Sequence, residues 1–333
     1  MQTGVSPRVV VIGPVNMDLF VRGTAPLDRA TLNDWVGPSD VQLMVAGSVG
    51  YTVQAFARLG CRVELCATTG DDAFGAHIRQ VLGDAGIGMR HANVAHGSTA
   101  IGIYMLLLGG SNRPLTVRMP AFEPWPDPLP WFLEDGEHLD LLHSGGLLHF
   151  PNMWGRSLAG AFASARVAGV RTSLDPQFPL VDTPAPWLPH IADVLANSDI
   201  LLCDEGEAEH IFDTHDLREA IRLAHAAGPS IVAIKRGALG SLVSDGTQVL
   251  RQPAVAVPEE QVREAVGAGD AFDAGFLDAL VRGQDVASAA RFGTAAAAVS
   301  LRGRGGSEAI ANRSAVMESL TAVPVAEAWS GAA

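Results

Sequence analysis

Two apolar patterns alternate along the chain. Val9-Val10-Val11-Ile12 is an unbroken β-branched run closed by Gly13, the pattern of a strand buried on both faces of a parallel sheet. Similar runs recur at residues 63–67, 170–174, 200–203 and 231–234. Between them, residues 52–59, 73–85, 158–168 and 217–227 space their apolar positions as helices do. Strand then helix, repeated, predicts an α/β fold: a three-layer sandwich with helices on both faces of a mostly parallel sheet. Further on, residues 268–281 and 286–301 predict two helices in series, the second rich in alanine. Side chains that small let a helix pack closely or leave room for a flat ligand.

Two segments break the rhythm. Residues 14–45 hold no long helix, and residues 98–120 read as extended strands joined by a Gly109-Gly110-Ser111-Asn112 turn. They predict a small β-rich lid made of 14–45 and 98–120, set beside a main domain of 1–13, 46–97 and 121–333. The proline-rich stretch 120–130 reads as a surface connection, and the residues from Val323 onward as loosely held.

Composition narrows the functional classes. Of 333 residues, 48% are hydrophobic and 18% charged, which marks a core-rich globular chain rather than a disordered one. The net charge of −13 argues against nucleic acid and anionic membranes as partners, while leaving a small anionic ligand open to a locally positive pocket. Cys61, Cys66 and Cys203 lack metal-ligand or redox spacing and read as buried reduced thiols. Pro14, Asn16 and Asp18 interrupt the N-terminal apolar run, a poor fit to a signal peptide. The apolar stretch 100–108 is too short to span a bilayer, so a cytoplasmic location is expected. Lys235 is the sole lysine.

Chemistry concentrates at Gly267-Ala268-Gly269-Asp270, just before a predicted helix. Glycines let a ligand approach the backbone, and the first free N–H groups of a helix favour negative charge. Asp270 beside such an anion hole is suited to take a proton from an attacking hydroxyl during phosphoryl transfer. Two other readings stay open on these residues alone. One is a plain turn with an N-capping aspartate. The other, weaker, is a dinucleotide fingerprint, which lacks a directly preceding strand and a ribose-binding acid.

The run from Gly267 resembles the second signature of the ribokinase-like (PfkB) family of carbohydrate kinases, and other blocks follow in the family's order. Gly13-Pro14-Val15-Asn16-Met17-Asp18 resembles its N-terminal strand and sugar-binding aspartate. Ala46-Gly47-Ser48-Val49-Gly50 resembles its first signature, and Gly70-Asp71-Asp72-Ala73-Phe74-Gly75 a further block. Asp204-Glu205-Gly206-Glu207 stands where the family has Asn-x-x-Glu, and Lys235-Arg236-Gly237-Ala238-Leu239-Gly240 resembles its nucleotide-side loop.

The resemblance implies a ribokinase-like fold and an ATP-dependent phosphotransferase acting on a primary hydroxyl of a sugar or sugar-like acceptor. Asp270 would be the base, with the amides of Ala268, Gly269 and Asp270 around the moving phosphoryl group and Gly267 completing the catalytic run. Asn16, Asp18, Gly47, Ser48 and Tyr51 would face the acceptor. Asp204, Lys235, Gly237, Gly240 and Thr294 would line the nucleotide, with Glu207 helping to hold Mg²⁺ through water. A homodimer through the lid is a further implication. A nucleoside acceptor, or a catalytically silent ligand-binding homologue, stays as an alternative.

Departures touch the surroundings of the base. Tyr51 replaces an asparagine and is large enough to stack on a sugar or base. Asp204 replaces an asparagine and adds negative charge beside Glu207. Glu264-Ala265-Val266 replaces Asp-Thr-Thr, which leaves potassium activation open. Thr294 stands where an asparagine often lies near adenine, and Asp175-Pro176-Gln177 lengthens the amide of Asp-Pro-Asn. His143 and His149 read as core or loop residues rather than metal ligands, and Trp125 and Trp131 as packing residues.

Overall fold

Strands form where β-branched residues can be buried on both faces. A computed structural model describes residues 6–23, 39–89, 93–95, 99–106, 136–154 and 156–331. The predicted 109–112 turn, the 120–130 connection, Trp125 and Trp131 lie outside the described residues.

The strands are β1 (Arg8–Ile12), β2 (Asn16–Gly23), β3 (Ser39–Ala46), β4 (Arg62–Cys66), β5 (Thr68–Gly70), β6 (Asn93–Ala95), β7 (Ile101–Leu106), β8 (Leu141–Gly145), β9 (Arg171–Asp175), β10 (Ile200–Asp204), β11 (Ile231–Lys235), β12 (Ser241–Ser244), β13 (Val249–Gln252) and β14 (Glu327–Ala328). The helices are α1 (Gly50–Arg58), α2 (Ala73–Asp84), α3 (Arg156–Val167), α4 (Leu188–Leu195), α5 (Glu205–Phe212), α6 (Leu217–Ala227), α7 (Ala268–Val281), α8 (Val286–Ser300) and α9 (Arg313–Ser319).

Nine strands make the main sheet in the order β14-β13-β12-β11-β10-β9-β8-β1-β4. From β4 to β11 they run parallel, and β12 to β14 continue antiparallel. Alternation within β1 sorts the core. Val9 and Val11 pack with Phe276 and Leu277 of α7 and Phe292 of α8, whereas Val10 and Ile12 pack with Phe162 of α3, Ile191 of α4 and Ile221 of α6. The sheet is therefore covered on both faces, as continuous apolar strands require.

A second sheet has the order β3-β2-β7, with β2 antiparallel to β3 and parallel to β7. It is drawn from the two stretches that broke the sequence rhythm. Helices α7 and α8 cross at very short range: a Cβ on Gly275 would stand 2.8 Å from that of Ala296, and one on Gly293 would stand 2.9 Å from the Phe272 carbonyl. Small residues permit that approach.

One expectation needs correction. The segment after Val323 is not loose through its length. Val323 is buried, β14 pairs with β13, and the Trp329 amide donates to the Val249 carbonyl at 2.9 Å. Unpaired sheet edges recruit chain in this way, and the polar Glu327-Ala328 sequence carries no strand signal of its own.

Candidate active site

Parallel strands place their carboxyl ends on one edge of the sheet. Gly13 follows β1, and Gly145, Asp175, Asp204 and Lys235 end β8, β9, β10 and β11 on that same edge. The chain lays β4 on one side of β1 and β8 on the other, so the order reverses beside β1. Ligands of open α/β sheets bind at such a reversal.

Two cavities meet there. The smaller, about 120 Å³, is lined by Asn16, Asp18, Gly47, Ser48, Tyr51, Tyr104, His149, Gln177, Gly267 and Asp270 among others. Asp18 is buried, accepting from Asn16 Nδ2 at 2.7 Å and from the Tyr51 hydroxyl at 3.0 Å. Both tyrosines of the chain line this cavity. Tyr51 does not offer an open face, as its size suggested. It is buried, and its ring lies over Gly267 and Gly305, where a Cβ would stand 3.2 and 3.4 Å away. Burial and the Asp18 carboxylate raise the phenol's pKa above its ordinary value, so it stays a donor. Gly47 has φ +99°, and a Cβ would meet the Pro14 carbonyl at 2.6 Å. That glycine turns the chain from β3 into α1, bringing Ser48 beside His149, with Oγ to Nδ1 at 2.9 Å.

The larger cavity, about 1080 Å³, has a wall of Ala254, Val255, Ala256 and Val257 facing Thr294, Ala297, Ala298 and Leu301 of the α8 region, and polar residues Asp175, Asp204, Glu207 and Lys235 at its inner end. Gly237 and Gly240 line it as well. Gly240 has φ +91°, and a Cβ there would run into the Gln252 carbonyl.

Asp270 lines both cavities. It is not an N-cap. Gly267, at φ +83°, is the cap, and Asp270 is the third residue of α7. The Ala268 amide is already committed to the Ala265 carbonyl at 3.2 Å. Among the described residues this leaves the amides of Gly269 and Asp270 as the first donors without a main-chain acceptor, a smaller anion hole than the sequence suggested. Burial lifts the Asp270 carboxyl to about 7, against the Thr52 hydroxyl, which donates to Oδ1 at 2.8 Å, and Lys235, both of which lower it. A base poised near neutrality is ionised at working pH yet still a useful proton acceptor.

Glu207 is no solvated glutamate. Its Oε2 accepts from the Asp204 amide and its own amide donates to Asp204 Oδ1, both at 2.7 Å, closing a capping box at the start of α5. Burial first, then Asp175 and Asp204, hold its carboxyl well above the usual range. Lys235 is equally far from a solvated strand-end lysine, because Asp175 Oδ2 and Asp273 Oδ2 accept from Nζ at 2.9 and 2.7 Å. Burial opposes its charge, but these carboxylates keep it protonated. His143 is a core residue, bonded to Ser173 Oγ at 2.8 Å, and burial lowers it to about 4.

Sequence reasoning missed Thr52, Tyr104 and Asp273. Asp273 carried a usable signal, since three residues beyond Asp270 it shares a helix face with it. His149, read from the sequence as a core or loop residue, reaches the smaller cavity from a short 3₁₀ turn after β8. Among the described residues no group of three His, Cys, Asp or Glu side chains is placed to hold a metal, and no helix is long and apolar enough to cross a membrane.

Comparison with known proteins agrees with this geometry. The model of the pfkB family carbohydrate kinases matches residues 6–313. A ribokinase of Arabidopsis thaliana is 26% identical over 95% of this chain and 81% of its own length. A cytidine kinase of Thermococcus kodakarensis is 34% identical, but over only 31% of this chain and 37% of its own. In three dimensions, the structure of Arabidopsis thaliana ribokinase complexed with ribose and ATP superimposes with a TM-score of 0.76 at 22% identity, covering 95% of this chain and 99% of that one. The family match across nearly the whole length makes this chain a member of the pfkB family and a carbohydrate kinase, and the fold sets Asp270 at the junction of two cavities on the carboxyl edge of the sheet.

Proposed function

We propose that the smaller cavity takes a monosaccharide and the larger one ATP, and that Asp270 deprotonates a primary hydroxyl of the sugar as it attacks the γ-phosphoryl group. The observation that carries this reading is that Asp270, alone among the carboxylates of the described residues, lines both cavities. Asp18, held by Asn16 and Tyr51, is suited to accept from two neighbouring sugar hydroxyls. The amides of Gly269 and Asp270 favour the charge that builds on the transferred group. Thr52 fixes the rotamer of the base. A cavity of about 120 Å³, closed by two tyrosines, favours a single sugar over a nucleoside.

Asp204 and Glu207 offer hard oxygen donors on the wall of the nucleotide cavity. One Glu207 oxygen is spent on the helix cap, and no group of three metal-holding side chains exists among the described residues. Such sparse ligation fits Mg²⁺, which keeps its waters and takes one or two carboxylates plus phosphate oxygens. When bound it would neutralise phosphate charge.

The β3-β2-β7 sheet we read as a lid over the acceptor. Val41 and Leu43 on its edge strand are exposed and support self-association, which light scattering would test. Three free buried thiols suit the reducing cytoplasm. The central experiment is turnover with MgATP against a panel of pentoses, hexoses, sugar acids and nucleosides, with and without potassium. Turnover of sugars is expected, and turnover of nucleosides alone would reject the reading.

A further inference from the structure

We propose that Lys235 is a positioning residue that pins the catalytic helix α7 to the ends of β9 and β11 through Asp273 and Asp175, and that it is not a ligand of the nucleotide phosphates. The inference rests on the reading of Asp270 as the base.

Lys235 ends β11, Asp175 ends β9, and Asp273 lies in α7 one turn beyond Asp270. One ammonium group therefore ties three elements together, at 2.9 Å to Asp175 and 2.7 Å to Asp273. The side chains are 15%, 5% and 2% exposed, so these are not solvent-screened pairs. The lysine also passes beneath the anion hole: a Cβ on Gly269 would stand 3.9 Å from Nζ. From there, at the wall of the larger cavity, it adds positive charge to the first turn of α7.

Leaving for a phosphate would be costly. Asp175 Oδ1 and Asp273 Oδ1 are already buried without a hydrogen-bond partner. Withdrawal of Nζ would strand both carboxyls in the interior, the situation that makes breaking a buried pair so unfavourable. The network extends through charge to Glu207, which also faces Lys235, and reaches Asp270. Asp273 rides well above the ordinary carboxyl range, mainly through burial, which suits one proton shared across the crowded pair. The helix that carries the base is thus located by a buried ionic contact set on the sheet's carboxyl edge.

The test compares Lys235→Gln, Asp273→Asn and the combined variant, all in the full chain. Two quantities are read: steady-state turnover with MgATP and the best sugar of the panel, and MgADP affinity by calorimetry. A small misplacement of a base costs on the order of 100-fold in rate. Lys235→Gln is expected to lose about that much kcat, with KM for MgATP and MgADP affinity within about threefold of wild type. Asp273→Asn should fall in the same direction, and the combined variant should be no worse than the poorer single one, because both act through one contact. Asp273→Asn keeps the Lys235–Asp175 pair, so it serves if Lys235→Gln does not fold.

A tenfold or greater loss of MgADP affinity in Lys235→Gln with kcat retained would overturn the proposal. So would wild-type kinetics in Asp273→Asn. If wild type phosphorylates nothing in the panel, the acceptor reading fails on its own. MgADP affinity then decides the role of Lys235: unchanged in both variants supports positioning, and a tenfold loss in Lys235→Gln overturns it.

Discussion

Asp270→Asn should make the enzyme slower and more stable at once, and the gain in stability should depend on pH. The carboxyl titrates near 3.8 in an unfolded chain and near 7 in the folded one, chiefly because burial disfavours its charge. Between those values the folded state holds a proton that the unfolded state has lost. Wild-type stability therefore falls as pH rises from about 4 to about 7, and the full cost persists above that. The interval of about three pH units, at about 1.4 kcal/mol each, sets a ceiling of about 4 kcal/mol. Because the side chain is half-buried and partly screened by solvent, about 2 kcal/mol is the better expectation. Asparagine has nearly the same shape and can still accept from Thr52, but carries no charge. At roughly 2 °C per kcal/mol for a large domain, the variant should melt about 4 °C higher at pH 8. Toward pH 4, where the carboxyl is protonated in the folded and the unfolded chain alike, the two should melt together, and at pH 5 the gap should be about a third of its value at pH 8. Differential scanning fluorimetry across pH 4–8 measures this, alongside a loss of kcat of about 10²- to 10⁴-fold. A variant less stable than wild type at pH 8, or a difference that ignores pH, would refute the argument that burial strains the base.

Other expectations concern separate contacts. Tyr51→Phe removes one of the donors to Asp18 and should raise the acceptor KM about tenfold with little change for MgATP, read from initial rates. Gly275→Ala puts a methyl 2.8 Å from the Ala296 Cβ and should cost about 1–3 kcal/mol in denaturant unfolding by forcing α7 from α8. Asp278→Ala strands Arg282 and Arg313, each held at 2.8 Å by that fully buried carboxylate, and should cost about 3 kcal/mol by the same measurement.

Much of the frame was legible in the chain. The β-branched runs that became β1, β4, β9, β10 and β11 admit no other burial, and the helical periods of α1, α2, α3, α6, α7 and α8 fall within two residues of the expected positions. Less legible were β8, β12, β13, α4 and α5. Leu-Leu-His-Ser-Gly in β8 carries a polar pair, and its buried His143 finds its partner in Ser173 of β9, thirty positions on. In α5, the helix starts inside the Asp204-Glu205-Gly206-Glu207 block that the sequence offered to the nucleotide and Mg²⁺, and the capping box needs the fold of β10 beneath it.

For the site, the sequence by itself determined which residues stand together: an aspartate after glycines at a helix start, suited to a base beside an anion hole. Local spacing suffices there, because the cap and the first turn of α7 are built from consecutive residues. Tertiary structure decided which of these groups are free to act. Ala268 lost its amide to Ala265, Tyr51 spent its hydroxyl on Asp18, and Lys235 was claimed by two carboxylates from β9 and α7. Those partners lie from three to sixty positions apart in the chain, and all but the local Ala265–Ala268 pair meet only where the strand ends converge. Whether a side chain binds a ligand or holds the fold depends on the nearest opposite charge, and long-range packing alone supplies that neighbour.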